Sequence, residues 1–280
     1  MNLKTSFVSY LYQKYPELSP ELLGGLISEQ LLSPFQITLS QKQVDTIKNE
    51  INHYWQLRQW GVEHLDSNYL EYNLRKPPNY SVCMSYDFHI NTQGQPELIE
   101  INTNAAFLAL GLELYDFFKL ANPVGSFNED ALIQMFLQEL ELCDAKEKSV
   151  AIVDENPEQQ RLYVEFLIFK MLFNKHNIKS GIFDISDIET FKKYSLIYNR
   201  YTDFYLRESA SSDIKNLFNK ALLNLSPHPY EYFLLADKQR LLDWNQQNIM
   251  PKPASLLKIY DLGFEEKDKI HRFISYVKKR

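Results

Sequence analysis

The chain has 280 residues, 45% apolar and 24% charged, with 30 basic against 36 acidic side chains and a net charge of -6. That balance supplies an ordinary globular core for about two domains and excludes a disordered tail or a fibre. It gives no global positive field for nucleic acid or an anionic membrane surface, so neither is expected as a partner.

The glycines, at 24, 25, 61, 94, 111, 125, 181 and 263, fit neither a Walker loop nor a dinucleotide fingerprint. Both cradle phosphate on closely spaced glycines ahead of a helix. Cys83 and Cys143 are too few and too far apart for a disulfide framework or a zinc site, and read as two buried, reduced thiols.

Residues 1 to 75 read as helical. Leu11, Tyr15 and Leu18 stand near helical spacing, and Ser19 before Pro20 suits an N-cap followed by the first helical position. The amino terminus offers no uninterrupted apolar run and no small-residue cleavage site, and no stretch approaches the ~20 apolar residues of a membrane span. A cytoplasmic protein is therefore expected. A second helix is predicted over 40–61, where Val44, Ile47, Ile51, Tyr54, Trp55 and Leu57 form one core-facing stripe. Lys76-Pro77-Pro78-Asn79 blocks helix continuation and sets a boundary near 78.

From 80 to 102 the period changes to two. Ser85 to Ile90 and Glu97 to Asn102 alternate around a glycine turn, which predicts a β-hairpin. Tyr86, Phe88, Ile90, Ile99 and Ile101 would share the apolar face, with Asp87, His89, Glu100 and Asn102 on the other. If Gln93 and Gly94 are the central turn residues, Asp87 stands opposite Glu100. Like charges so placed destabilise a hairpin unless something compensates. Two carboxylates and an amide oxygen form a hard, oxygen-only set suited to magnesium. A three-residue turn would shift the register by one and spoil this geometry. The residues alone leave a second reading open, a solvent-facing polar edge whose acids repel weakly through water.

Beyond the hairpin, helices are predicted over 113–119 and 129–142, with a charged connector at 144–148. The pattern then runs strand 150–153, helix 157–174, strand 181–185 and strand 196–199, an α/β unit with a parallel sheet. Helices over 211–222 and 237–245 flank a break at Pro227 and Pro229, and a basic helix is predicted over 265–280. Asn199, Arg200 and Asp203 follow a predicted parallel strand, where α/β sheets place ligands. Arg200 suits a bidentate grip on carboxylate or phosphate, and an Arg200 to Asp203 ion pair fixing the loop is the competing account. Asp237 and Lys238 read first as a helix-start acid with a solvated neighbour and second as a ligand contact.

Asp87 on one strand, followed by Glu100-Ile101-Asn102-Thr103 on the next, resembles the metal hairpin of the ATP-grasp superfamily. The hairpin precedes the α/β unit, which is similar to the permuted arrangement of glutathionylspermidine synthetases and of an uncharacterised bacterial ATP-grasp group. Ile197-Tyr198-Asn199-Arg200-Tyr201-Thr202-Asp203-Phe204 and Ala236-Asp237-Lys238-Gln239-Arg240-Leu241 add to the likeness, the latter resembling the entry into the ATP-binding lobe.

The resemblance implies Asp87, Glu100 and Asn102 as ligands of Mg2+, and Asn199, Arg200, Asp203 and Lys238 at substrate or nucleotide. It divides the chain into a helical segment (1–78), a metal-hairpin segment with helices (79–147), a Rossmann-like pre-ATP-grasp domain (148–235) and the start of an ATP-binding lobe (236–280). The fold class it implies is α/β, an incomplete ATP-grasp expected to lack the carboxyl-terminal nucleotide lobe with its lysine-bearing strand and glycine-rich flap. The implied activity is ATP- and Mg2+-dependent ligation of a small carboxylate or peptide substrate to an amine. A partner chain or homo-oligomer would cover the missing lobe. The alternative is a noncatalytic remnant serving as a binding or interaction module, and a third reading is a metal-assisted hydrolase using His89 beside Asp87.

Overall fold

Polar caps set where the amino-terminal helices begin. Asn2, Ser19 and Ser40 accept hydrogen bonds from the backbone N–H of Lys4, Leu22 and Gln43 and start α1 (Leu3–Lys14), α2 (Pro20–Leu26) and α3 (Gln41–His64). The Ser40 cap is reciprocal, because the Gln43 side chain returns to the Ser40 N–H as a capping box. The computed structural model describes residues 2–32, 37–122, 125 and 127–250, so the basic helix predicted over 265–280 lies outside the described residues. A short α4 (Asp66–Leu70) leads to the antiparallel pair β1 (Ser85–Ile90) and β2 (Pro96–Asn102). Then come α5 (Leu108–Phe118) and α6 (Glu129–Leu142).

The remainder is a four-stranded parallel sheet with its helices. β3 (Ser149–Asp154), α7 (Tyr163–Lys175), β4 (Lys179–Asp184), α8 (Ile188–Phe191), β5 (Leu196–Asn199), α9 (Ser212–Asn219) and β6 (Leu225–Ser226) follow in sequence, and the strand order is β4-β3-β5-β6. The chain closes with α10 (Pro229–Glu231), a π-helix over Tyr232–Ala236 and α11 (Gln239–Gln246). The protein is thus a mixed α/β structure of helices with a parallel sheet.

The central strands carry unbroken apolar runs, residues 150–153 of β3 and 196–198 of β5, because both faces of the sheet are covered. Val150, Ile152, Leu196 and Tyr198 point into a core built with Phe7, Leu11, Phe136 and Phe169 from α1, α6 and α7. Ala151, Val153, Ile197 and Leu225 point into a second core with Tyr54, Leu57, Tyr69, Leu98, Ile101, Phe233 and Trp244. The amino-terminal helices are therefore divided between the two faces, α1 and α2 on one and α3 and α4 on the other. The hairpin rests its apolar side on the second core.

Several expectations shift at the ends of elements. α5 begins at Leu108 rather than 113, because the carboxylate of Glu165 on α7 accepts from the N–H groups of Phe107 and Ala109 and caps it from a distant part of the chain. The helix expected from 157 is only a 3-10 turn at Pro157–Gln159 until α7 starts at Tyr163. Trp55, placed in the core stripe, is 40% exposed, edge-on to Tyr80 and beside the Arg58 guanidinium. Cys83 is buried as expected, whereas Cys143 is only partly so, and both are free thiols.

Candidate functional site

The hairpin turn is wider than two residues. The Asn91 N–H donates to the Gln95 carbonyl and the Gly94 N–H to the Asn91 carbonyl, both at 2.9 Å, so Thr92, Gln93 and Gly94 form the loop. Asn91 Oδ1 accepts from the N–H groups of Gln93 and Gln95, and Gly94 takes a φ of +76°, a left-handed conformation glycine adopts without a Cβ clash. This turn pairs Ile90 with Pro96, His89 with Glu97 and Phe88 with Leu98, one residue off the two-residue-turn register. A bulge between Asp87 and Phe88 then restores it, and Asp87 faces Glu100, Tyr86 faces Ile101 and Ser85 faces Asn102.

The bulge also corrects the composition of the two faces. Leu98, not Ile99, fills the apolar face, at 1% exposure against 40% for Ile99. Ile90 is exposed too, at the hairpin's end. On the polar side, His89 Nε2 lies 2.8 Å from Glu97 Oε2, so the pairing of His89 with Asp87 gives way to a pairing with Glu97. Asn91 Nδ2 donates to the other Glu97 oxygen at 2.8 Å.

Asp87, Glu100 and Asn102 converge. Asn102 Nδ2 lies 3.3 Å from Asp87 Oδ2 and 3.3 Å from Glu100 Oε1, so a single amide bridges the two carboxylates. Ser85 Oγ donates to Asp87 Oδ1 at 3.2 Å. Lys238 joins them from far along the sequence, its Nζ 3.5 Å from Glu100 Oε2. The π-helix delivers it: the Asp237 N–H reaches back to the Tyr232 carbonyl at 2.8 Å, and the segment packs on β2. Such one-turn widenings recur at functional positions. Asp237 is fixed in turn by the Tyr205 hydroxyl and by the Gln239 N–H. Burial raises the Tyr232 phenol to about 12, with the charges of Asp237, Tyr72 and Glu100 adding to the shift.

The other predicted residues gather at the carboxyl end of the sheet. β3 leads by α7 to β4 on one side and β5 leads by α9 to β6 on the other, so the ends of β3 and β5 flank a topological switch point. Arg200 stands there, its N–H bonded to the Val153 carbonyl at 2.8 Å. Its Nη1 donates to the Asn104 side chain and, at 2.7 Å, to the Ala105 carbonyl, while Asn104 Nδ2 returns to the Arg200 carbonyl at 3.0 Å. Arg200 thereby ties the sheet to the segment just past Asn102. Among the described residues the competing Arg200 to Asp203 pairing is not formed, and Asp203 Oδ2 accepts from the Glu208 N–H at 2.8 Å. Asn199 Oδ1 accepts from the Tyr201 N–H at 3.3 Å and shapes the same loop. Burial raises the Asp154 carboxyl at the end of β3, and the Arg200 charge offsets part of the shift.

Sequence reasoning missed Glu97, Glu165, Glu139, Glu231 and His228, all buried. Arg58 Nε donates to Glu231 at 2.6 Å, and Asn79 Nδ2 to Glu139 at 2.8 Å. Acids within apolar helical stretches, such as Glu139 and Glu165, carry a readable signal, because each needs a buried partner.

Compared with protein-family models and with curated proteins, the sequence matches none. Among the described residues no group of three or more His, Cys, Asp and Glu side chains is arranged to hold a metal, and none of the helices is long and apolar enough to cross a membrane. The hairpin set differs in kind, being two carboxylates and an amide.

Proposed function

We propose that the hairpin face binds Mg2+ through Asp87, Glu100 and Asn102 and that the protein is an ATP-grasp-type carboxylate–amine ligase, with Mg2+ and ATP as cofactors. The observation that carries the reading is the meeting of both carboxylates on one amide, each 3.3 Å from Asn102 Nδ2. The donor chemistry fits: two carboxylates supply hard oxygens, and rotating the Asn102 amide would turn its oxygen in place of its NH2 toward the same point. The Lys238 ammonium at Glu100 marks the spot as one that a cation stabilises.

When bound, Mg-ATP supplies the phosphoryl group that activates a carboxylate, with Mg2+ neutralising the triphosphate. The chain's own residues would then position the reactants. Asp87 and Glu100 would hold the ion and Lys238 would offer an ammonium to phosphate oxygens, while Arg200 fixes the segment after β2 against the sheet end. Asn199 and Asp203 shape the loop beside Arg200, where a small carboxylate or peptide substrate would lie near the switch point.

Calorimetry with Mg-ATP on the purified chain tests the reading. Saturable heat that disappears in Asp87→Asn with Glu100→Gln supports it. A silent titration with the chain, alone and mixed with the product of an adjacent reading frame, rejects it in favour of a noncatalytic binding module.

A further inference from the structure

We infer that Lys238 is a built-in counter-cation of Glu100 which a divalent ion displaces, so that ion binding at the hairpin releases the Lys238 ammonium for an anionic ligand. This rests on the metal-binding reading of the hairpin and assigns Lys238 as a positioning residue there.

Three observations carry it. The Lys238 backbone is held on both sides: the preceding Asp237 receives the Tyr205 hydroxyl and returns its own N–H to the Tyr232 carbonyl, and the following Gln239 N–H donates to Asp237 Oδ1 at 2.9 Å. The side chain, by contrast, is 40% exposed and spans to a Glu100 that is largely covered. Its Nζ lies 3.5 Å from Glu100 Oε2, too long for a strong hydrogen bond, so charge attraction rather than geometry sets the contact.

Glu100 thus divides its oxygens, Oε1 to the Asn102 amide and Oε2 to Lys238. A divalent ion shared by Asp87 and Glu100 must take oxygens that these two groups now face. An ammonium left a few ångströms from such an ion would be repelled, and the four-carbon stem of lysine lets it swing outward while its backbone stays fixed. The outward position is where the oxygens of a phosphate or carboxylate bridging to the ion would be met. Cation and anion binding would then be coupled through one side chain.

Mn2+ binding to the purified chain, followed by electron paramagnetic resonance of the free ion, tests this. Lys238→Met should bind Mn2+ about tenfold more tightly than the natural chain, a step of ~1.4 kcal/mol, while Lys238→Arg should stay within about threefold of it. Lys238→Gln replaces the methionine variant if that one fails to fold. In the natural chain, acetylation of Lys238 by an amine-reactive ester, read by mass spectrometry, should rise on adding Mn2+ and stay flat in Asp87→Asn with Glu100→Gln. Equal or weaker Mn2+ binding by folded Lys238→Met and Lys238→Gln, or acetylation indifferent to saturating Mn2+, overturns the exchange and leaves the metal reading standing. No Mn2+ binding by any variant overturns both.

Discussion

Asp87 faces Glu100 across the hairpin because two one-residue offsets cancel: the three-residue loop ending at Gly94 shifts the register, and the bulge at Ile99 shifts it back. The apolar pattern forces the bulge. Leu98 and Ile101 are both buried against the second core, yet they are an odd number of positions apart, and a regular strand would send them to opposite faces. An extra residue between them lets both point inward and turns Glu100 outward beside Asp87.

Leu98 and Ile99 should therefore differ sharply in denaturant melts. Leu98→Ala is expected to lose about 2–4 kcal/mol, because it empties a filled core position. Ile99→Ala should fall within about 0.5 kcal/mol of the natural chain, as exposed substitutions usually do. Deleting Ile99 should leave a cooperative fold, since a regular strand then pairs Phe88 with Leu98 and Asp87 with Glu100. Equal losses at positions 98 and 99 would refute the assignment of faces.

Opposed carboxylates predict a crossing of stabilities with magnesium. In a chelator, Asp87→Asn should equal or exceed the natural chain by up to ~1 kcal/mol, because cross-strand repulsion is relieved. In excess Mg2+ the natural chain should overtake it, gaining about 2.7 kcal/mol at a concentration a hundred times the dissociation constant. Thermal melts across a magnesium series measure both limbs. A gain that is the same in the two chains would place the ion elsewhere.

Much of this was legible in the sequence, and the losses have physical causes. Alternation around Gly94 reveals the hairpin, and the continuous apolar runs at Val150 and Leu196 reveal a sheet covered on both faces. Ser19 announces its helix because capping is local chemistry. The bulge was hidden because Ile99 and Ile101 alternate as convincingly as Leu98 and Ile101 do not, and only the packed core decides between them. Phe88 and Tyr86 keep the face that alternation predicts, since they lie on the unbulged strand. The start of α5 was hidden because its cap comes from Glu165, more than fifty residues away. The meeting of Lys238 with Glu100 depends on a π-helix, for which periodicity gives no signal.

Glu165 should be among the most sensitive polar positions. It is 1% exposed, and its two oxygens accept from the N–H groups of Phe107 at 2.7 Å, Ala109 at 2.9 Å and Leu110 at 3.4 Å. Burial raises its pKa, and these donors together with Arg200 oppose the rise. Glu165→Ala would leave buried donors without acceptors, so a loss of about 3 kcal/mol is expected. Hydrogen exchange should show faster amide exchange at Phe107, Ala109 and Leu110 before other residues respond. Unchanged protection there would mean that α5 is held by packing alone.

His228 gives the stability a defined dependence on pH. Its Nδ1 accepts from the Glu231 N–H at 3.2 Å, so Nε2 must carry the proton that meets the Asn79 carbonyl at 2.8 Å. A second proton would have to enter at Nδ1, against a donor already there. The pKa falls from 6.5 to about 3, chiefly through burial, with the Asn79 carbonyl opposing the fall and the Arg58 and Arg75 charges adding to it. A lowered base favours the folded state wherever the unfolded chain is also neutral. Its contribution is therefore full above pH 6.5 and is lost as pH falls from 6.5 toward about 3, by at most ~1.4 kcal/mol per pH unit. Glu139 and Glu231 are raised by burial and act in the opposite sense, binding protons in the folded state at a pH where the unfolded chain is still ionised. Comparison with His228→Gln separates the two effects, because the variant keeps both acids and loses only the imidazole. It should be less stable at pH 7 by about 1–3 kcal/mol, since the Glu231 N–H loses its acceptor. Between pH 6.5 and 5, urea melts should show it losing less stability than the natural chain for each unit of acidification. Parallel slopes in the two proteins would mean that the buried imidazole already takes up its proton in the folded state.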